Sequence, residues 1–248
     1  MNEIQIYKMK DKNEKFHVKK GKMFDIPFRL LVVGKSQLSG KSNFVANLLL
    51  QEDSRLYRDN FDGSNIFIWS PSLKTDYKIK TIITELDIPK ENLFTEFDEN
   101  TIEAIYELTK DEFNEAVEQK EKPEAKLFIF DDMSSGGDLK SKTNGIISKI
   151  FSNGRHILLS CILTAQKYTD ILTSARENCS GAVFFSGTDR QLDSIADDHS
   201  VIDRKEFKKI YRKATEEPHS FMVVNYSNPI DSRYMDKNFN PIKFIKQR

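Results

Sequence analysis

Short runs of uninterrupted apolar residues alternate along this chain with longer stretches in which apolar side chains return every three or four positions. The runs at 28–33, 66–69, 127–130, 156–164, 182–185 and 221–224 mostly lack polar alternation, which predicts strands covered on both faces. The periodic stretches predict helices at 41–51, 101–120, 140–151, 190–197 and 204–212. In the first, Phe44, Val45, Leu48 and Leu49 share a side; in the second, Ile102, Ile105, Tyr106, Phe113, Ala116 and Val117 do, with Asn100 and Glu103 placed as a cap pair. Strands alternating with helices predict an α/β fold, a mostly parallel central sheet flanked by helices and joined by right-handed crossovers. The 248 residues suffice for one substantial core, so the expected organisation is a basic N-terminal extension over 1–24 and one domain over 25–248.

Composition sharpens this only in places. Lys+Arg and Asp+Glu number 38 each, so no global positive field draws the chain to nucleic acid, and any DNA contact must be local. Lys8, Lys10, Lys12, Lys15, Lys19, Lys20 and Lys22 outnumber the acids of the first segment, and a solvated lysine face is the favoured reading of them. Cys161 and Cys179 are too few for a disulfide framework, which points to a reducing compartment. The N-terminus is polar and no apolar stretch reaches the roughly 18 residues of a membrane helix, so neither a signal peptide nor a span is expected.

The chemistry concentrates after the first strand. Gly34, Lys35, Ser36, Gln37, Leu38, Ser39, Gly40, Lys41 and Ser42 form a small-residue loop between an apolar strand and a helix, the setting of a phosphate-binding loop. Gly40 permits close backbone approach, Lys41 can reach the β and γ phosphates, and Ser42 can ligate Mg²⁺. The spacing departs from the usual one: five residues separate Gly34 from Gly40, and Lys35 stands where the first glycine belongs. Downstream, the run at 126–130 ends in Asp131 and Asp132. An acid there holds the metal complex of a bound triphosphate and the next one orients or deprotonates the attacking water, so Asp131 is assigned to the metal, through water, and Asp132 to the lytic water. ATP and Mg²⁺ are the implied ligands. No Asn-Lys-x-Asp tetrapeptide is present to read guanine, and no Cys/His cluster supports zinc.

A third segment names a family. Asn153 to Gln166 carries Arg155 and His156 before an apolar run closed by Gln166, and Arg176 and Asn178 follow before the run at 182–185. This arrangement resembles the third motif of the HerA/FtsK superfamily, particularly its viral genome-packaging ATPases, in which an Arg-His pair opens a strand, a glutamine closes it, and Arg-x-Asn follows. The paired Asp131 and Asp132 and the run at 220–225 are similar to that branch as well. The likeness covers residues 28–225.

The resemblance implies a RecA-like core assembled into a ring, usually a hexamer, with ATP between subunits. Gln166 would report loss of the γ phosphate, and Arg155 or Arg176 of a neighbouring copy would complete the site, the choice between them remaining open. It further implies an ATPase that packages viral double-stranded DNA, docked on capsid or virion vertex proteins and located in the virion or host cytoplasm. The segment at 133–145 follows the aspartates, and its Lys140 and Lys142 are candidates to grip DNA phosphates, a solvated surface loop being nearly as good a reading. Two other functions stay open: a cellular or plasmid HerA/FtsK-type DNA pump, and an NTP-binding regulatory switch.

Overall fold

A computed structural model describes residues 12–35, 39–52, 56–132 and 145–244. Among the described residues eight strands form one sheet: β1 (Arg29–Val33), β2 (Ile66–Trp69), β3 (Leu93–Phe94), β4 (Lys126–Phe130), β5 (Leu159–Ala165), β6 (Gly181–Phe185), β7 (Phe221–Asn225) and β8 (Tyr234–Met235). Their order is β3-β2-β4-β5-β1-β6-β7-β8, parallel from β3 through β6, with β7 antiparallel to both neighbours. The strands predicted from uninterrupted apolar runs are the buried ones: every residue of β5 and β6 lies in the interior.

The helices are α1 (Lys41–Leu50), α2 (Tyr77–Glu85), α3 (Glu99–Glu118), α4 (Ile146–Asn153), α5 (Thr173–Asn178), α6 (Asp189–His199), α7 (Arg204–Ala214) and the single turn α8 (Ile230–Arg233). Chain order against strand order sets their layers. The path from β1 to β2 to β3 runs one way across the sheet, and the path back through β4 and β5 to β6 runs the other. Right-handed crossovers therefore put α1 and α2 on one face and α3, α4 and α5 on the opposite one. The same arithmetic aligns the carboxyl ends of β1, β5, β4 and β2 along one edge, where open α/β sheets bind ligands.

Three expectations change. Helix α3 is capped by Asp98, whose carboxylate accepts from the Thr101 amide at 2.9 Å, so the helix begins before the Asn100 and Glu103 pair expected to cap it. The run from His156 does not open a strand: residues Gly154–Ile157 form a turn of 3-10 helix, and Leu158, left-handed at φ 56°, separates it from β5. Of the helix expected at 140–151, the described part starts at Ile146 and extends to Asn153. The described part of the basic extension lies against the domain, with Met23 and Phe24 in the core and the Asn13 side chain donating to the His156 carbonyl.

On the β2 and β4 side, Trp69 stacks between Phe94 and Phe130 at centroid distances of 4.9 and 4.8 Å. At the other end of the sheet, the His199 imidazole is enclosed by polar partners. Its Nε2 meets the Tyr168 hydroxyl at 2.8 Å and its Nδ1 the Tyr226 hydroxyl, while Phe184 packs on its ring. Burial pulls its pKa down to about 4, with Asp198 opposing and Arg176 assisting the shift. Between pH 6.5 and 4 the unfolded chain therefore binds a proton that the folded chain refuses, and stability drains as pH falls through that window, by about 3 kcal/mol in all. Urea unfolding of wild type and His199→Gln at pH 7 and pH 4.5 should show the variant losing markedly less stability; equal losses would place the acid sensitivity elsewhere.

Candidate nucleotide site

Gly34 follows β1 directly, its amide donating to the Ala165 carbonyl at 3.1 Å. The far end of the loop returns to the same spot: a Cβ on Gly34 would lie 2.6 Å from that of Ser39. Ser39 Oγ donates to the Lys35 carbonyl at 2.7 Å, tying the two ends together. Ser36, Gln37 and Leu38 lie outside the described residues. Gly40 turns the chain into α1 at φ 93°, a conformation that disfavours any side chain.

Lys41 is buried, and its ammonium donates to the Gly34 carbonyl at 2.7 Å. Burial lowers its pKa, while the nearby Asp132 and then Asp131 oppose that shift and favour the charged form. Both acids come from the carboxyl end of β4, two strands along. Asp131 is extended from the strand, with its amide on the Trp69 carbonyl at 2.8 Å. Its Oδ1 accepts from the Thr164 hydroxyl at 2.8 Å and its Oδ2 from the Ser70 hydroxyl at 3.0 Å. Desolvation raises its pKa, opposed by those two hydrogen bonds. Asp132 leaves the strand in a left-handed conformation at φ 48°, and such local strain gathers at functional sites. That bend sets its amide on the Thr164 hydroxyl at 2.9 Å and its Oδ2 within 2.6 Å of Gln166 Nε2. Because β5 lies between β1 and β4, Gln166 at its end stands between the loop and the aspartates.

Hard oxygen donors suit Mg²⁺, which is usually held by one or two carboxylates together with substrate phosphates. The Ser42 hydroxyl and the Asp131 carboxylate, lining one small cavity at the α1–β4 junction, fit that requirement. Among the described residues no group of three or more His, Cys, Asp or Glu is arranged to hold a metal without a substrate.

The two arginines are placed apart from this cluster. Arg155, in the turn before β5, lies at the opposite edge of the sheet from its own loop, is exposed, and donates from Nε to His156 Nε2 at 3.3 Å. Arg176, near the end of α5, pairs with Asp198, lies 5.0 Å from the Tyr168 ring centroid and donates to Thr173 Oγ1 at 3.0 Å. Lys140 and Lys142 lie outside the described residues.

Three site features escaped the sequence reading. Asp76 precedes α2 and accepts the Ser42 hydroxyl on its Oδ2 at 3.1 Å; its position before Tyr77 and the spacing of Ile79, Ile82 and Ile83 could have disclosed both cap and helix. Ser70 carries no motif around it. The third is an open cavity of about 1010 Å³ beginning at Ser39 and Gly40 and running along α1, lined also by Asn43, Phe44, Phe221 and Asn238.

A buried lysine opening the helix that follows a parallel strand, with paired acids two strands away and a glutamine between, is the architecture of a P-loop protein of the RecA-like kind. Residues 14–229 match the family described as Poxvirus A32 protein, and the chain belongs to that family. Comparison with curated protein sequences gives no match. Among solved structures, the genome packaging NTPase B204 from Sulfolobus turreted icosahedral virus 2 in complex with AMP shares the fold at a TM-score of 0.55 and 16% identity, over 88% of this chain and 96% of that one. The same protein in complex with ATP-gammaS aligns at 0.52 and 16%, over 81% and 93%. B204 of Sulfolobus turreted icosahedral virus, described as a DNA-packaging ATPase, aligns at 0.52 and 15%, over 82% and 94%.

Proposed function

We propose that this chain is an ATP-hydrolysing motor that drives viral double-stranded DNA into a capsid. The observation that carries the reading is the meeting of Lys41, Asp131, Asp132 and Gln166 at adjacent strand ends around the phosphate loop. Membership of the A32 family and the fold shared with packaging NTPases support the direction of the work.

In this reading the loop amides and Lys41 cradle the β and γ phosphates, and Ser42 and Asp131 would hold Mg²⁺, which neutralises phosphate charge when bound. Asp132 accepts a proton from, or aligns, the attacking water. Gln166, already hydrogen-bonded to Asp132, exchanges that bond when the γ phosphate leaves. Base and ribose enter the cavity beside α1, where Phe44 and Phe221 offer stacking surface and Asn43 and Asn238 offer amides. Arg155 is the arginine presented to the neighbouring copy, since its own loop is at the far edge of the sheet. The working form is a homo-oligomeric ring, a hexamer, docked on a capsid or virion vertex protein and acting in the virion or host cytoplasm. No described helix is long and apolar enough to cross a membrane. Lys140 and Lys142 remain the candidate DNA grips.

Phosphate release with and without duplex DNA, beside gel filtration with and without ATP, tests the reading. A ring whose turnover rises with DNA is expected. A monomer indifferent to both nucleotide and DNA would replace the motor with the regulatory switch.

A further inference from the structure

Ser42 can serve a divalent cation only if its hydroxyl proton points away from it. A hydroxyl has one proton and two lone pairs, so a carboxylate that takes the proton leaves a lone pair directed at the metal. The acid delivered by β4 does not play this part here: both oxygens of Asp131 are engaged, by Thr164 at 2.8 Å and Ser70 at 3.0 Å. Ser42 instead donates to Asp76, at 3.1 Å, from a different element.

Asp76 is fixed for that task. Its Oδ1 caps α2, accepting from the Lys78 amide at 2.8 Å and the Ile79 amide at 3.4 Å, which leaves Oδ2 facing Ser42. The relative placement of the two helices is set by packing, since Ile79 and Ile82 of α2 share a small cavity with Val45 and Ser42 of α1. Asp76 also adds, as the smallest contribution, to the upward shift of the Asp131 pKa, which burial dominates.

We propose that Asp76 is a positioning residue that orients the Ser42 hydroxyl toward Mg²⁺ and so couples the cap of α2 to the metal side of the nucleotide site. This rests on the nucleotide reading above. Asp76→Asn separates positioning from capping: the amide oxygen still caps α2, while the amide NH₂ facing Ser42 can no longer accept its proton. Calorimetric titration with ATP, in Mg²⁺ and in EDTA, reads the difference without relying on turnover. For Asp76→Asn the enhancement of ATP affinity by Mg²⁺ should fall roughly 10- to 100-fold, the loss of one charge-assisted hydrogen bond. Affinity in EDTA and the melting temperature should stay near wild type. In a Ser42→Ala background the same substitution should add nothing further.

Wild-type enhancement by Mg²⁺ that persists in Asp76→Asn would reduce Asp76 to a helix cap and overturn the proposal, as would equal losses in Mg²⁺ and EDTA, or losses that add fully to Ser42→Ala. Should wild type bind ATP with no help from Mg²⁺, the nucleotide reading itself fails, and Asp76 with it.

Discussion

Lys41→Ala is expected to lower ATP turnover by at least about 100-fold, the scale seen when one preorganised donor to a developing charge is removed. The lysine is buried against the Gly34 carbonyl, so the cost of holding its charge there is already met in the folded chain. Burial favours its neutral form, and Asp132 and Asp131 favour the ammonium. In the proposed site a triphosphate would exchange for the Gly34 carbonyl as the partner of an ammonium already held beneath the loop. Substitution removes that charge and also leaves two neighbouring acids facing the incoming phosphates, so binding and chemistry fall together. Lys41→Arg should rescue little, because a forked guanidinium does not fit a pocket shaped around an ammonium. Phosphate release assays with circular dichroism as a folding control decide the matter. Turnover within about tenfold of wild type would remove Lys41 from the site.

Arg155→Ala is expected to cost on the order of 1,000-fold in turnover, the scale of a charge-neutralising arginine, while leaving nucleotide affinity of the single chain nearly unchanged. It is exposed and lies at the sheet edge opposite its own loop, so in the proposed ring it would face a neighbouring copy's phosphates. Mixing gives the sharper result. In a ring built from equal parts Arg155→Ala and Lys41→Ala chains, about one interface in four joins an intact loop to an intact arginine, and activity should reappear in that proportion. Arg176→Ala should behave differently. Its guanidinium bridges Asp198, Tyr168 and Thr173 inside the chain, so the expected loss is in melting temperature, with no rescue on mixing. Rescue of Arg176→Ala and none of Arg155→Ala would reverse the assignment.

The existence of the buried elements was easier to read from the residues than their exact ends or their order in the sheet. The strands at β1, β2, β4, β6 and β7 were legible because a strand buried on both faces is apolar nearly throughout. Strand β3 is two residues long and α5 six, too short for any period to show. The start of β5 was misplaced because apolar residues continue through Ile157 and Leu158 while the backbone does not: the left-handed turn at Leu158 leaves no mark in composition. Lys41 followed from the loop between a strand and a helix, Asp131 and Asp132 from a strand end and a residue type, and Gln166 from the family resemblance, and the structure brings those four together. Asp76 and Ser70 were invisible to that reasoning, since their importance arises from β2 being paired beside β4, a fact of strand order rather than of sequence.

Trp69 is the chain's single tryptophan, and its carbonyl receives the amide of Asp131 while the adjoining Ser70 holds that residue's carboxylate. Its indole is sealed between two phenylalanine rings, so emission should be blue-shifted and insensitive to external quenchers. A change in its emission on adding ATP and Mg²⁺ is the expected sign that a rearrangement at the neighbouring acid reaches the strand end, a readout that needs no attached dye.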